Sequence, residues 1–105
     1  MDFNMSVLSG TLSADPEYRT FDSGAHHRRY LVTVRSDAPR RRVDVLPVTL
    51  WDPPDELVED PGVRGEPAWV VASVQRRFWA DDKGRNSRLE LVAHSVHISR
   101  EDEGA

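Results

Sequence analysis

Apolar and polar positions alternate with a period of two along most of this chain, a pattern that predicts strands rather than helices. Residues 4–12 (NMSVLSGTL) put Ser6, Leu8, Gly10 and Leu12 on one face and Met5, Val7, Ser9 and Thr11 on the other. Gly10 inside this run marks a bulge or a sharp bend, as small barrels need to turn corners. Residues 26–35 (HHRRYLVTVR) gather Tyr30, Val32 and Val34 on one face, opposite a more polar set of Arg29, Leu31, Thr33 and Arg35. Residues 43–51 (VDVLPVTLW) form a third strand. Pro47 confines it to a sheet edge or a bulge, because proline has no N–H to give a ladder. Residues 68–79 (AWVVASVQRRFW) form a long fourth strand with Ala68, Val70, Ala72 and Val74 on one side. Trp69, Val71, Ser73, Gln75, Arg77 and Trp79 share the other side. Residues 87–99 (SRLELVAHSVHIS) form a fifth strand, where the apolar positions slip from Leu89 and Leu91 to Val96 and Ile98 and predict a bulge near His94.

Between the strands the turn signals are Asp15-Pro16, Ser23-Gly24, the short basic loop 36–41 (SDAPRR) and the hairpin Asp81–Gly84. Residues 52–67 (DPPDELVEDPGVRGEP) break the alternation; four prolines and two glycines leave room for one helical turn, Asp55–Asp60 after Pro53-Pro54. Five strands with a long connection between the third and fourth predict an all-β fold, a five-stranded, partly open Greek-key barrel of the OB-fold type. It occupies residues 1–100 as one domain, followed by a short polar tail at 101–105. Phe3 and Phe78 read as structural.

Composition changes little in this picture, and charge changes more. A chain of 105 residues fits one compact domain with a modest core, which partner chains would help to cover. The absence of cysteine excludes a disulfide framework and a thiolate metal site. The opening MDFNMSVLSG has no basic region leading into a long apolar run, so no signal peptide is expected, and no stretch approaches the ~20 apolar residues that span a bilayer. A cytoplasmic location follows as an expectation. The net charge of −4 at first argues against a polyanionic partner, yet it is unevenly spread. Residues 18–50 carry seven Arg against three Asp, and residues 76–100 carry five Arg and Lys83 against Asp81, Asp82 and Glu90. The acids concentrate at 1–17, 51–67 and 101–105. Thirteen of the fourteen basic residues are arginine, which both pairs with phosphate and stacks on flat rings. Charge runs are also how any protein solvates a face.

Trp79 stands with Arg77 and Gln75 on the face away from the core. There it is placed either to stack a nucleobase, worth ~1–3 kcal/mol per base, or to pack against a long loop or a partner subunit. Trp51, at the end of the third strand, offers a second platform or a cover for the barrel end. Trp69 shares the parity of Trp79 but lies roughly 33 Å back along an extended strand, which favours an interface or the underside of the 52–67 segment. An enzymatic reading finds little support. His94 and His97 fall on opposite faces of a strand, as do His26 and His27, so neither pair chelates one metal. Asp81–Gly84 is too short for a calcium loop, and no Gly-rich phosphate cradle or nucleophile elbow occurs.

Taken in order, these residues resemble the bacterial single-stranded DNA-binding protein family, over residues 4 to about 99. The correspondence begins with Asn4, Leu8, Gly10 and Leu12, continues through Asp15-Pro16-Glu17, Arg19-Thr20 and Ser23-Gly24, and includes Tyr30, Val32 and Val34. It ends with Trp51, Gly65, Trp79, Asp82-Lys83-Gly84, Glu90 and Val92. The resemblance implies sequence-independent binding of single-stranded DNA, with stacking at Trp51 and Trp79 and with Arg77 among the basic contacts. It also implies a homo-oligomer, usually a tetramer paired through the first strand. A role in replication, recombination or repair follows, with no cofactor, no metal and no catalysis. The charge pattern adds Arg28, Arg35, Arg40, Arg41 and Arg42 as candidate phosphate contacts.

Several positions depart from the family pattern. Asp52 stands where the family has Gly after Trp51, and Ala72 where it has Gly. The family's amphipathic helix is replaced by the acidic Pro-rich segment, which would repel a phosphate chain passing close by. Loop 36–42 is short and lacks an aromatic. The family's long tail with an acidic tip has no counterpart beyond Glu101-Asp102-Glu103, so either a tail-less, diverged member or a chain whose native tail has been trimmed is expected. Two alternatives stay open. Leu46-Pro47-Val48 and the missing tail suit a dimer like primosomal replication protein N, a tail-less relative. The acidic segment suits an OB-like module that has lost DNA binding and works through protein contacts; a basic stripe with exposed Trp counts against it, and an acid-covered groove for it.

Overall fold

The computed structural model describes residues 1–100; the polar tail at 101–105 lies outside the described residues. Six strands and one helical turn follow in the order β1 (Ser6–Leu12), β2 (Glu17–Thr20), β3 (His26–Ser36), β4 (Arg42–Trp51), α1 (Asp55–Glu59), β5 (Pro67–Asp81) and β6 (Gly84–Ile98). Five of them close a barrel in the order β1-β5-β6-β4-β3, and β1 pairs back onto β3 through Thr11–Thr33 and Leu12–Val32. This is the expected OB-fold. The addition is β2, which lies along the first half of β3 from Glu17–Arg29 to Thr20–His26. Its four residues are all exposed, so no alternation announces it.

The inward face of each strand supplies the core. Tyr30, Val32, Val48 and Val70 are fully buried, joined by Leu12, Leu50, Ala68, Ala72 and Ala93. Burial pushes the Tyr30 phenol up to about 12, and its hydroxyl is enclosed without a partner. Gly10 is the corner at which β1 leaves β5 for β3. A Cβ there would meet the Thr33 carbonyl oxygen at 2.0 Å, so only glycine allows this approach. Asn4 lengthens the β1–β5 contact with its side chain: Nδ2 donates to the Val74 carbonyl at 2.7 Å and Oδ1 accepts from the Val74 N–H at 3.0 Å.

The predicted bulge falls where expected. Val71 opposes Ser95 and Ala72 opposes Ala93, which leaves His94 as the extra residue; its Nε2 lies 2.6 Å from Ser73 Oγ. Pro47 is paired with Leu31 of β3, but the parallel β4–β6 ladder begins only at Val48–Leu91, so proline sits at an edge on that side. Because β4 and β6 run parallel, the β3–β4 and β5–β6 hairpins project from the same end of the barrel. Phe3 and Phe78 do not pack as structural residues within this chain; both are largely exposed. Trp69 is exposed on the outer face of β5 with its ring 5.4 Å from that of His97.

The helical turn α1 closes the opposite end, where Leu57 enters the core. Arg28 ties it down, and this corrects its assignment as a phosphate contact. Its parity is that of Tyr30, so the side chain points inward and only 7% of the residue is exposed. Nε donates to the Leu57 carbonyl at 3.2 Å and Nη2 to the Val58 carbonyl at 2.7 Å. The guanidinium also lies over the Tyr18 ring at 4.7 Å. These carbonyls are the ones a short helix leaves unpaired at its C-terminal end. Arg28→Met is expected to lower stability by about 2–3 kcal/mol, the scale of buried bonds to a charged group, read as a lower urea midpoint.

Candidate nucleic-acid interface

The outward face of β2, β3 and β4 carries an aromatic cluster. Trp51 ends β4 opposite His27, whose ring meets the indole edge-on at a centroid distance of 4.8 Å. Phe21, just past β2, lies 5.5 Å from Trp51 at an interplanar angle of 34°. Arg19 stacks over Phe21 at 5.1 Å. The neighbours hold the Trp51 ring in place, yet the residue stays 38% exposed. The turn after Trp51 depends on Asp52, which adopts φ 48° and donates its N–H to the His26 carbonyl at 2.9 Å. Aspartate tolerates this left-handed conformation better than most residues with a side chain.

Arginines surround the cluster. A groove of about 180 Å³ is walled by Arg19, Phe21, His27, Arg29, Trp51, Arg77 and Arg88, with Glu17 and Glu90 as its acids. Four cations against two carboxylates leave this surface basic in a chain that is acidic overall. Burial holds the His27 imidazole below its usual 6.5, and Arg19, Arg29 and Arg77 push the same way, so the ring is neutral at pH 7. Glu90, from β6, ties the arginines of both hairpin strands: Oε1 accepts from Arg88 Nη2 at 3.1 Å and from Arg77 Nη1 at 3.5 Å. Arg88 also reaches over the Trp79 ring at 5.7 Å, which connects Trp79 to the groove. Trp79 pairs across the hairpin with Asn86 and is 39% exposed.

Of the residues singled out in the sequence, the structure brings Trp51 and Arg77 into one groove and puts Trp79 beside it. Arg35, Arg40, Arg41 and Arg42 lie on the β3–β4 arm, exposed and outside the groove walls. Arg42 is engaged by Asp44 at 2.9 Å, and Arg41 lies 3.8 Å from Asp37. Arg28 is withdrawn to α1. Sequence reasoning missed Arg19, Phe21, His27, Arg29 and Arg88. The parity of β3 carried a signal for two of them, since His27 and Arg29 alternate with the core residues Arg28 and Tyr30. The acidic residues of 52–67 do not line the groove; two of them, Asp60 and Glu66, are instead paired with Arg100 at 2.6 and 3.3 Å. No group of three or more His, Asp or Glu placed to hold a metal occurs among the described residues, and no helix there is long and apolar enough to cross a membrane. The sequence model of the Single-strand binding protein family matches residues 3–99, a span that takes in all six strands.

Proposed function

The chain belongs to the Single-strand binding protein family, and from that premise we propose that it binds single-stranded DNA without a sequence requirement, as a binding protein rather than an enzyme. The observation that carries this is the Trp51 platform: an indole braced by Phe21 and His27, half exposed, and ringed by Arg19, Arg29, Arg77 and Arg88. Bases stack on Trp51 and on Trp79, while the arginines take the phosphates between them. Arg35 and Arg40–Arg42 extend the track along the β3–β4 arm, which points the same way as the arm bearing Trp79. Replication, recombination or repair in the cytoplasm is the setting that suits such a protein. Exposed Met5, just before β1, and Val7 on it favour assembly with further copies, as a dimer or a tetramer. The reading as an OB-like module devoted to protein contacts is disfavoured by the basic groove with its exposed Trp.

Salt dependence tests the phosphate half of this reading. Each phosphate engaged on a single strand contributes about −0.7 to the slope of log affinity against log salt. The four groove arginines together therefore predict a slope of about −3 for oligo-dT. Arg19→Ala is expected to make that slope shallower by about 0.7. A slope near zero for the wild-type chain contradicts the proposed phosphate contacts.

A further inference from the structure

The β4–β6 ladder is only two residue pairs long, Val48–Leu91 and Thr49–Val92. It begins immediately after Pro47, which has no N–H to carry it toward the hairpin arms. Below that point the arms part and leave a cleft of about 290 Å³. Its apolar walls are Leu46, Val74, Leu89 and Leu91. Its polar rim is Arg29, Thr49, Arg88 and Glu90, and these same four side chains also wall the aromatic groove, so the two spaces share one boundary. Both arginine contacts of Glu90 fall on Oε1; among the described residues Oε2 accepts none.

We propose that this cleft is a base-binding subsite, which takes one unstacked pyrimidine from the strand lying in the groove and favours cytosine over thymine through Glu90. The inference rests on the reading of the groove as a single-stranded DNA interface. A cleft of this size with apolar walls and a few polar groups at one edge suits a single flat ring. Cytosine turns an N4 amino donor toward the carboxylate, whereas thymine turns its O4 acceptor there. A carboxylate can only accept, so thymine meets repulsion where cytosine meets a hydrogen bond. The preference is confined to one position and leaves the stacking sites indifferent to sequence.

The test compares oligo-dT with the same oligomer carrying one central dC, for the wild-type chain, Glu90→Gln and Leu89→Trp. The wild-type chain is expected to bind the dC oligomer roughly fivefold more tightly, the low end of a base-edge contact. Glu90→Gln should bring that ratio to one, because an amide can serve either base; the readout is the ratio within the variant, since loss of the carboxylate also frees Arg77 and Arg88 in the groove. Leu89→Trp places a bulky ring on the exposed Leu89 wall of the cleft and should also bring the ratio to one. A wild-type ratio of one, with oligo-dT still bound, overturns the subsite and leaves the proposed function standing. A preference that survives in either variant overturns it too. A change in sedimenting mass in Leu89→Trp, with no preference in the wild-type chain, assigns the cleft to a second copy. Failure of the wild-type chain to bind either oligomer removes both readings.

Discussion

Trp51→Ala is expected to weaken binding of oligo-dT by about five- to 150-fold, the range set by ~1–3 kcal/mol for one stacked base. The indole is already held by the Phe21 face and the His27 edge, so binding does not have to order it, and the stacking energy is not offset by lost side-chain freedom. Trp79→Ala should have a similar effect through its own base. The two rings share no direct contact, so the losses in the double variant should add in free energy. Trp51→Phe should retain most of the affinity, because a smaller ring still offers a face to a base. Urea midpoints near that of the wild-type chain show that the fold survives in each variant. Unchanged affinity in the double variant contradicts the stacking mechanism.

Gly10→Ala is expected to cost about 3 kcal/mol or more, at or above the usual range for overpacking, because the added carbon meets backbone and not a flexible side chain. The Thr33 carbonyl oxygen would lie 2.0 Å from the new Cβ, with Val32 Cγ1 at 3.2 Å. Relief requires β1 to move off β3, which breaks the Thr11–Thr33 and Leu12–Val32 pairs that close the barrel. A domain with a total stability of about 5–15 kcal/mol loses a large part of it. The check is the urea midpoint at unchanged m-value. A shift equivalent to less than about 1 kcal/mol means that the corner relaxes without opening the barrel, since replacing a strand glycine by alanine otherwise favours the fold by about 0.5–1 kcal/mol.

The same contrast between side chain and backbone explains what could be read from the sequence. Alternation located all five barrel strands, because each has one face in the core, and the slip from Leu91 to Val96 located the His94 bulge. Both are consequences of period-two geometry. The short strand β2 escaped because Glu-Tyr-Arg-Thr has no buried face to impose a pattern. Three residues of the candidate interface were legible for the same reason, against five that were not: Trp51, Arg77 and Trp79 are anomalies on strands of known parity. Phe21 was not, since it follows β2 in a turn and reaches Trp51 only through the tertiary fold. Arg28 was misread by its charge, although its parity with Tyr30 already pointed it inward. Asp52 adopts the left-handed conformation at φ 48°, a backbone that glycine takes without strain and aspartate tolerates. The acidic segment that follows lies outside the walls of the groove, so the charge that made the sequence look unsuited to DNA sits elsewhere on the molecule.

If Trp51 and Trp79 are stacking platforms, their own fluorescence reports on strand binding. Oligo-dT titrated into the chain at low salt should quench the tryptophan emission strongly. Added salt should weaken the quenching by displacing the strand from the arginines, and duplex DNA, whose bases are already stacked, should leave the emission unchanged. A flat signal with oligo-dT at low salt, together with no retention of the oligomer in a filter-binding assay, would contradict the account.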